Sequence, residues 1–226
     1  MIKSLVYKEW LKVRWSFIGL VFINLIVVIN ICISLYNDFK FYKPNQIYDG
    51  VLSWGYVFYI DLMYIPLATG ILLGVVQFFP EINSSRLKLT LHLPMKEGKS
   101  LLTMQWYGLG LLILLFLVDG VVISILTSAY FPGEVVTSFL VVSLPWFLAG
   151  LTAYIFISLI FVEPSWSRRI LLSIIGIGFV NLLYSNIIAM GIEAVFSRID
   201  LFIVIIMMLL TPLILLAGYN YKKGIR

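Results

Sequence analysis

Predominantly apolar stretches the length of a bilayer crossing recur along this chain, with short polar connections between them. A hydrocarbon core about 30 Å thick takes about 20 apolar residues of helix. Spans of that kind are predicted at about 17–36, 54–79, 101–128, 135–162, 170–190 and 201–219. They make a transmembrane domain over 17–219, followed by a tail at 220–226. The third and fourth are long enough to tilt. Pro66, Pro145 and Pro212 fall inside spans two, four and six, and each marks an expected kink. Ahead of the first span, residues 1–16 place Ile2, Val6, Trp10 and Val13 on one helical face and Ser4, Lys8, Glu9 and Lys12 on the other. That pattern predicts an interfacial amphipathic helix; the other form open to the same residues is the first turns of one long span.

Composition agrees with this all-α membrane fold. Of the 226 residues 62% are hydrophobic and 12% charged, where a soluble domain carries about a quarter charged residues. No stretch is long and polar enough for a separate soluble domain, so any ATPase or hydrolase domain is expected on another polypeptide. The lone cysteine, Cys32, rules out an intrachain disulfide and a cysteine metal cluster. The first apolar run, Phe17 to Leu35, is longer than a signal-peptide core and lacks a following small-residue cleavage site, so it is expected to be retained.

Charge sets the expected orientation. Four basic residues precede span one (Lys3, Lys8, Lys12, Arg14), and four separate spans two and three (Arg86, Lys88, Lys96, Lys99). Two separate spans four and five (Arg168, Arg169), and three close the chain (Lys222, Lys223, Arg226). The other side holds Lys40, Lys43 and Arg198. Basic residues are retained on the cytoplasmic side of short loops, so both termini are expected inside, in a multi-pass inner (plasma) membrane protein. Around the first outer connection Tyr36, Phe39, Phe41, Tyr42, Tyr48, Trp54, Tyr56 and Tyr59 suit an interfacial aromatic belt.

The connection at 80–100 combines cations with an apolar stripe: Leu87, Leu91 and Pro94 share one side of a short helix, leaving Arg86, Lys88 and Lys96 for a soluble partner. The plainer role for these cations is to enforce topology. Two carboxylates, Asp61 in span two and Asp119 in span three, fall in the outer half of the hydrocarbon zone. An ionisable group there is costly and faces a bundle interior or a water-filled path, so the pair either lines a translocation route or bonds to neighbouring helices. Gly70 and Gly74 offer a small-residue packing face.

Several chemistries are excluded. Gly98-Lys99-Ser100 imitates the end of a phosphate loop, but the required earlier glycine is Leu93 and no strand precedes it. The sequon Asn83-Ser84-Ser85 falls on the cytoplasmic side. His92 is the only histidine and has no ligand partner at metal spacing. No bound cofactor or metal is expected on this chain. Nucleic-acid binding is not needed to explain the net charge of +5, because topology accounts for the cations.

One wider pattern covers nearly the whole chain. A Lys-Glu-Trp-Leu-Lys run (Lys8 to Lys12) opens the N-terminal helix, and six spans follow. Glu81 ends span two and leads through Arg86 to Leu93-Pro94-Met95-Lys96, and Lys99 opens span three. This resembles the type-2 ABC transporter permeases. The resemblance implies the membrane subunit of an ATP-driven exporter, working as a homodimer or heterodimer with a second permease. Membrane lipid surrounds it, and a separate cytoplasmic ABC ATPase binds ATP and magnesium. It also implies that Glu81, Arg86, Leu91, Pro94 and Lys96 form the segment coupling permease to ATPase. The alternative is a membrane-embedded substrate-binding or assembly subunit that is not itself a translocation path.

Overall fold

A computed structural model describes residues 2–53, 57–83, 97–190, 205–206 and 210–223. Among them are helices and no strand: α1 (Ile2–Phe41), α2 (Pro44–Ser53), a short 3-10 turn (Ile60–Leu62), α3 (Ile65–Asn83), α4 (Glu97–Tyr130), α5 (Gly133–Val162), α6 (Trp166–Met190) and α7 (Leu213–Lys223). Five stretches are long and apolar enough to cross a membrane: Lys3–Phe41, Ile60–Asn83, Gly98–Tyr130, Gly133–Val162 and Trp166–Tyr184. This is the build of a multi-pass membrane protein. The expected sixth span, 201–219, falls partly outside the described residues, and α7 covers its second half.

In lipid every backbone polar group must be satisfied within the protein, which helices do by themselves. Hydroxyls in the spans follow the same rule by bonding back to the preceding turn. Thr69 donates to the Ile65 carbonyl, Ser124 to Gly120, Thr127 to Ile123 and Thr152 to Leu148. Large apolar side chains then remain on the outside: Phe22, Ile26 and Ile33 of α1, Leu114, Leu117 and Ile125 of α4, and Ile170, Ile174 and Ile177 of α6 are all exposed. Water would not tolerate so much exposed apolar surface; acyl chains match it.

Helix α5 lies at the centre, packed by α3, α4, α6 and α7, while α1 packs on α4 and α3. The beginning of α1 shares one end of the bundle, here called the near end, with the end of α3; aromatic contacts join the end of α1 to the α4–α5 junction at the far end. The α3–α5 seam brings backbone against backbone. A Cβ on Gly70 would run into the Gly150 carbonyl, and one on Gly150 into the Pro66 carbonyl, so glycine on both helices lets the backbones touch. Gly74, one turn on, receives the Ile157 side chain.

Three expectations change. The N-terminal segment is not a separate interfacial helix but the start of a continuous 40-residue α1. Residues 2–41 contain no proline and one glycine, Gly19, so nothing in them breaks a helix. The faces also differ, since Leu5, Glu9, Val13 and Phe17 point inward while Trp10 is exposed. With apolar solvent outside, the polar residue gains by turning in. Second, of the three prolines only Pro145 interrupts a helix interior. Pro66 is the second residue of α3, where the missing N–H costs nothing, and Pro212 lies in the turn before α7. Third, the aromatic belt divides. Tyr36, Phe41 and Tyr42 are exposed, but Phe39, Tyr48 and Tyr59 turn in to meet Tyr130, Phe131, Phe139 and Trp146. Trp54 and Tyr56 lie outside the described residues.

Candidate functional site

At the near end α1, α3, α4 and α5 meet on polar side chains placed at helical spacing. On α1, Lys8, Glu9 and Lys12 share a turn; on α3, Gln77 and Glu81 are four residues apart; on α5, Tyr154 and Ser158 are four apart. Each pair therefore presents both members to one neighbour.

The charged half joins α1 to α3. Lys12 Nζ donates to Glu9 Oε1 at 2.9 Å and to Glu81 Oε1 at 3.2 Å, and it lies 2.8 Å from Glu9 Oε2. Lys8 Nζ lies 3.1 Å from the same Glu81 oxygen. Both carboxylates are buried, Glu9 at 0% and Glu81 at 1% exposure, with Lys12 nearly so and Lys8 reaching the surface. Two acids facing two bases give the cluster no net charge, the condition for ionised groups to lie in a dry interior.

The uncharged half carries the connection through the bundle. Gln77 Nε2 donates to Glu9 Oε2 at 3.0 Å and to the Met104 carbonyl of α4 at 2.8 Å. Its Oε1 accepts the Tyr154 hydroxyl of α5 at 2.7 Å. The Tyr154 Oη also lies 3.2 Å from the Gln105 carbonyl, and Gln105 Nε2 donates to Ser158 Oγ at 3.0 Å. Gln77, Gln105, Tyr154 and Ser158 are all fully buried. Gly108 makes the meeting possible, because a Cβ there would collide with both Tyr154 Oη and Gln77 Oε1. One amide thus ties three helices to the charged foot of a fourth.

Of the residues expected at a coupling segment, Glu81 is placed here, at the last turn of α3, while Arg86, Leu91, Pro94 and Lys96 lie outside the described residues. Asp61 and Asp119 are not brought together by any hydrogen bond or ion pair among the described residues. Asp61 is exposed within the 3-10 turn and accepts a hydrogen bond from Asn30 Nδ2 at 3.1 Å. Asp119 is buried in α4, and its Oδ2 has no hydrogen-bond partner. Elsewhere on the α1–α3 contact, Asn24 Nδ2 donates to Thr69 Oγ1 at 3.2 Å.

Sequence reading missed Gln77, Gln105, Tyr154 and Ser158, and placed Glu9 on the wrong face. The available signal was polar residues recurring at three- and four-residue spacing inside otherwise apolar spans. No group of three or more His, Cys, Asp or Glu side chains placed to hold a metal occurs among the described residues.

The chain matches no family model, no curated protein and no solved structure. Function therefore has to be read from these residues. The near-end cluster offers ion pairs and directional hydrogen bonds rather than an activated nucleophile or a paired general acid and base. Such an arrangement joins the four helices in a fixed register.

Proposed function

We propose that this chain is the transmembrane permease subunit of an ATP-driven exporter of the type-2 ABC class. On this reading it crosses the inner membrane six times with both termini in the cytoplasm, pairs with a second permease, and works with a separate cytoplasmic ATPase that binds ATP and magnesium. The observation that carries the reading is the tie from Glu81 to Lys8 and Lys12, extended through Glu9 and Gln77 to Tyr154. Glu81, in the last turn of α3, leads into the 80–100 connection, so a push on that connection arrives at α1 through ion pairs and at α5 through Gln77. Alternating exposure of a path between two bundles needs this kind of rigid link. The thirteen-to-three partition of basic residues supports the orientation, and it puts the near end on the ATPase side.

The test uses the permease reconstituted with the P-loop ATPase that co-purifies from native membranes. Arg86→Ala with Pro94→Ala is expected to leave insertion and assembly intact while abolishing stimulation of ATP hydrolysis. Normal stimulation in that variant would remove the coupling role. Co-purification with a transporter already complete without this chain would instead favour the assembly-subunit alternative.

A further inference from the structure

The inward turn of Glu9 has a consequence for the outer surface of α1. Along its first turns the exposed side chains are Lys3, Ser4, Tyr7, Trp10, Leu11, Arg14 and Trp15. No acid is among them, because the one acidic residue of this stretch is buried against Lys12 and Gln77. What remains is a stripe of cations and aromatic rings at three- and four-residue spacing. Tyr7 and Trp15 are 63% and 72% exposed, and the Arg14 guanidinium lies 5.5 Å from the centre of the Trp15 ring. Among the described residues Lys3 and Arg14 enter no ion pair.

The stripe borders a groove of about 470 Å³ between α1 and α4, lined by Lys3, Val6, Tyr7, Trp10 and Tyr107. Its lining is almost wholly apolar, and Lys3, Tyr7 and Tyr107 are the lining residues that carry a polar side-chain group. Helix α1 is about 60 Å long at 1.5 Å per residue. It therefore outruns a hydrocarbon core of about 30 Å and carries its first turns into the headgroup layer. A ligand suited to the groove has a negatively charged head for Lys3 and an apolar chain for the rest of the lining.

We infer that the α1–α4 groove at the near end is a binding site for an anionic phospholipid, with Lys3 holding the headgroup and Val6, Trp10 and Tyr107 receiving the acyl chain. The site is independent of the exporter reading and requires only that α1 cross the bilayer. Cations near an anionic lipid surface each add to attraction, and Trp and Tyr favour the headgroup level. Here both are combined with a cleft, which makes the contact selective for one lipid class.

The experiment reconstitutes the full chain in phosphatidylcholine bilayers holding a minor fraction of either brominated phosphatidylglycerol or brominated phosphatidylcholine. Subtracting the signal of Trp10→Phe from that of the unaltered protein isolates quenching at Trp10. Brominated phosphatidylglycerol is expected to quench Trp10 as though enriched about fivefold over its mole fraction, the factor that one cation near an anionic surface supplies. Brominated phosphatidylcholine should quench in proportion to its fraction. K3Q should bring the two lipids level, K3R should restore the difference, and excess inorganic phosphate should change nothing. Equal quenching in the unaltered protein would overturn the proposal, as would enrichment that survives K3Q. Displacement by inorganic phosphate would also overturn it by showing a site for a soluble anion.

Discussion

The two ends of the bundle solve the same problem with opposite chemistry. In lipid, apolar contact alone gives little preference for one helix neighbour over another, because acyl chains are as apolar as leucine. The near end fastens four helices with ions and amides: Lys8, Glu9, Lys12, Gln77, Glu81, Gln105 and Tyr154. The far end fastens its helices with rings, Phe131 meeting Phe39, Tyr48 and Phe58 at centroid distances of 5.5 Å each. Its polar contribution is modest, with the Tyr48 hydroxyl donating to the Tyr130 carbonyl at 2.7 Å. Rings tolerate small shifts, while charges and amides lose most of their value when displaced. The near end should therefore be the register-setting and brittle end, and the far end the forgiving one.

Lys12→Leu should show the largest effect. It leaves Glu9, fully buried, with Gln77 as its remaining partner, while Glu81 keeps Lys8. Stranding a buried charge costs about 3–5 kcal/mol, measurable as a loss of unfolding free energy in detergent titration of bicelle-reconstituted protein. The double variant Glu9→Leu/Lys12→Leu removes both ions and should recover a substantial part of that loss. A double variant as unstable as the single one would mean that the cluster contributes stability of its own rather than specificity alone.

This brittleness was only partly legible in the sequence. Five of the expected spans were legible because a run of about 20 apolar residues has few other uses. The inward face of α1 was not, since wheel reasoning that puts polar residues outward assumes water outside, and here the exterior is lipid. Gln77 was not legible either: a lone amide in a span has no meaning until the fold sets Met104, Tyr154 and Glu9 around it. Asp61 and Asp119, conspicuous as charges in apolar runs, turned out to lie in unlike surroundings, one exposed and one buried.

Gly108→Ala probes the brittle end without touching a charge. The added methyl displaces the Tyr154 hydroxyl from Gln77 inside a fully buried site. A buried polar group left unsatisfied costs about 1–3 kcal/mol, so about 2 kcal/mol is expected in the same titration. Gly110→Ala, whose Cβ would meet nothing within 4 Å, serves as the control and should be near neutral. Equal losses at the two glycines would point to general helix effects and dissolve the special role of Gly108.

At the far end, Phe131→Leu keeps an apolar side chain and forfeits three ring contacts. Aromatic pairs add about 0.5–1.5 kcal/mol each beyond buried area, but neighbouring rings can close over a leucine. The expected loss is about 1 kcal/mol, with helix order unchanged by circular dichroism. A loss matching that of Lys12→Leu would erase the contrast between the ends.

Lys8→Ala should have the smallest effect, and it locates where brittleness stops. Lys8 and Lys12 approach the same oxygen of Glu81, yet the Lys8 side chain is 42% exposed and that of Lys12 13%. Solvent-exposed ion pairs contribute about 0.2–1 kcal/mol, since water screens the charges and ordering a long side chain costs entropy. Removing Lys8 leaves Glu81 its bond to Lys12, so the loss should stay below about 1 kcal/mol and shrink further in added salt. A salt-insensitive loss as large as that of Lys12→Leu would place Lys8 inside the dry cluster, and the near end would then be held by a closed four-ion unit rather than by a buried pair with a solvated rim.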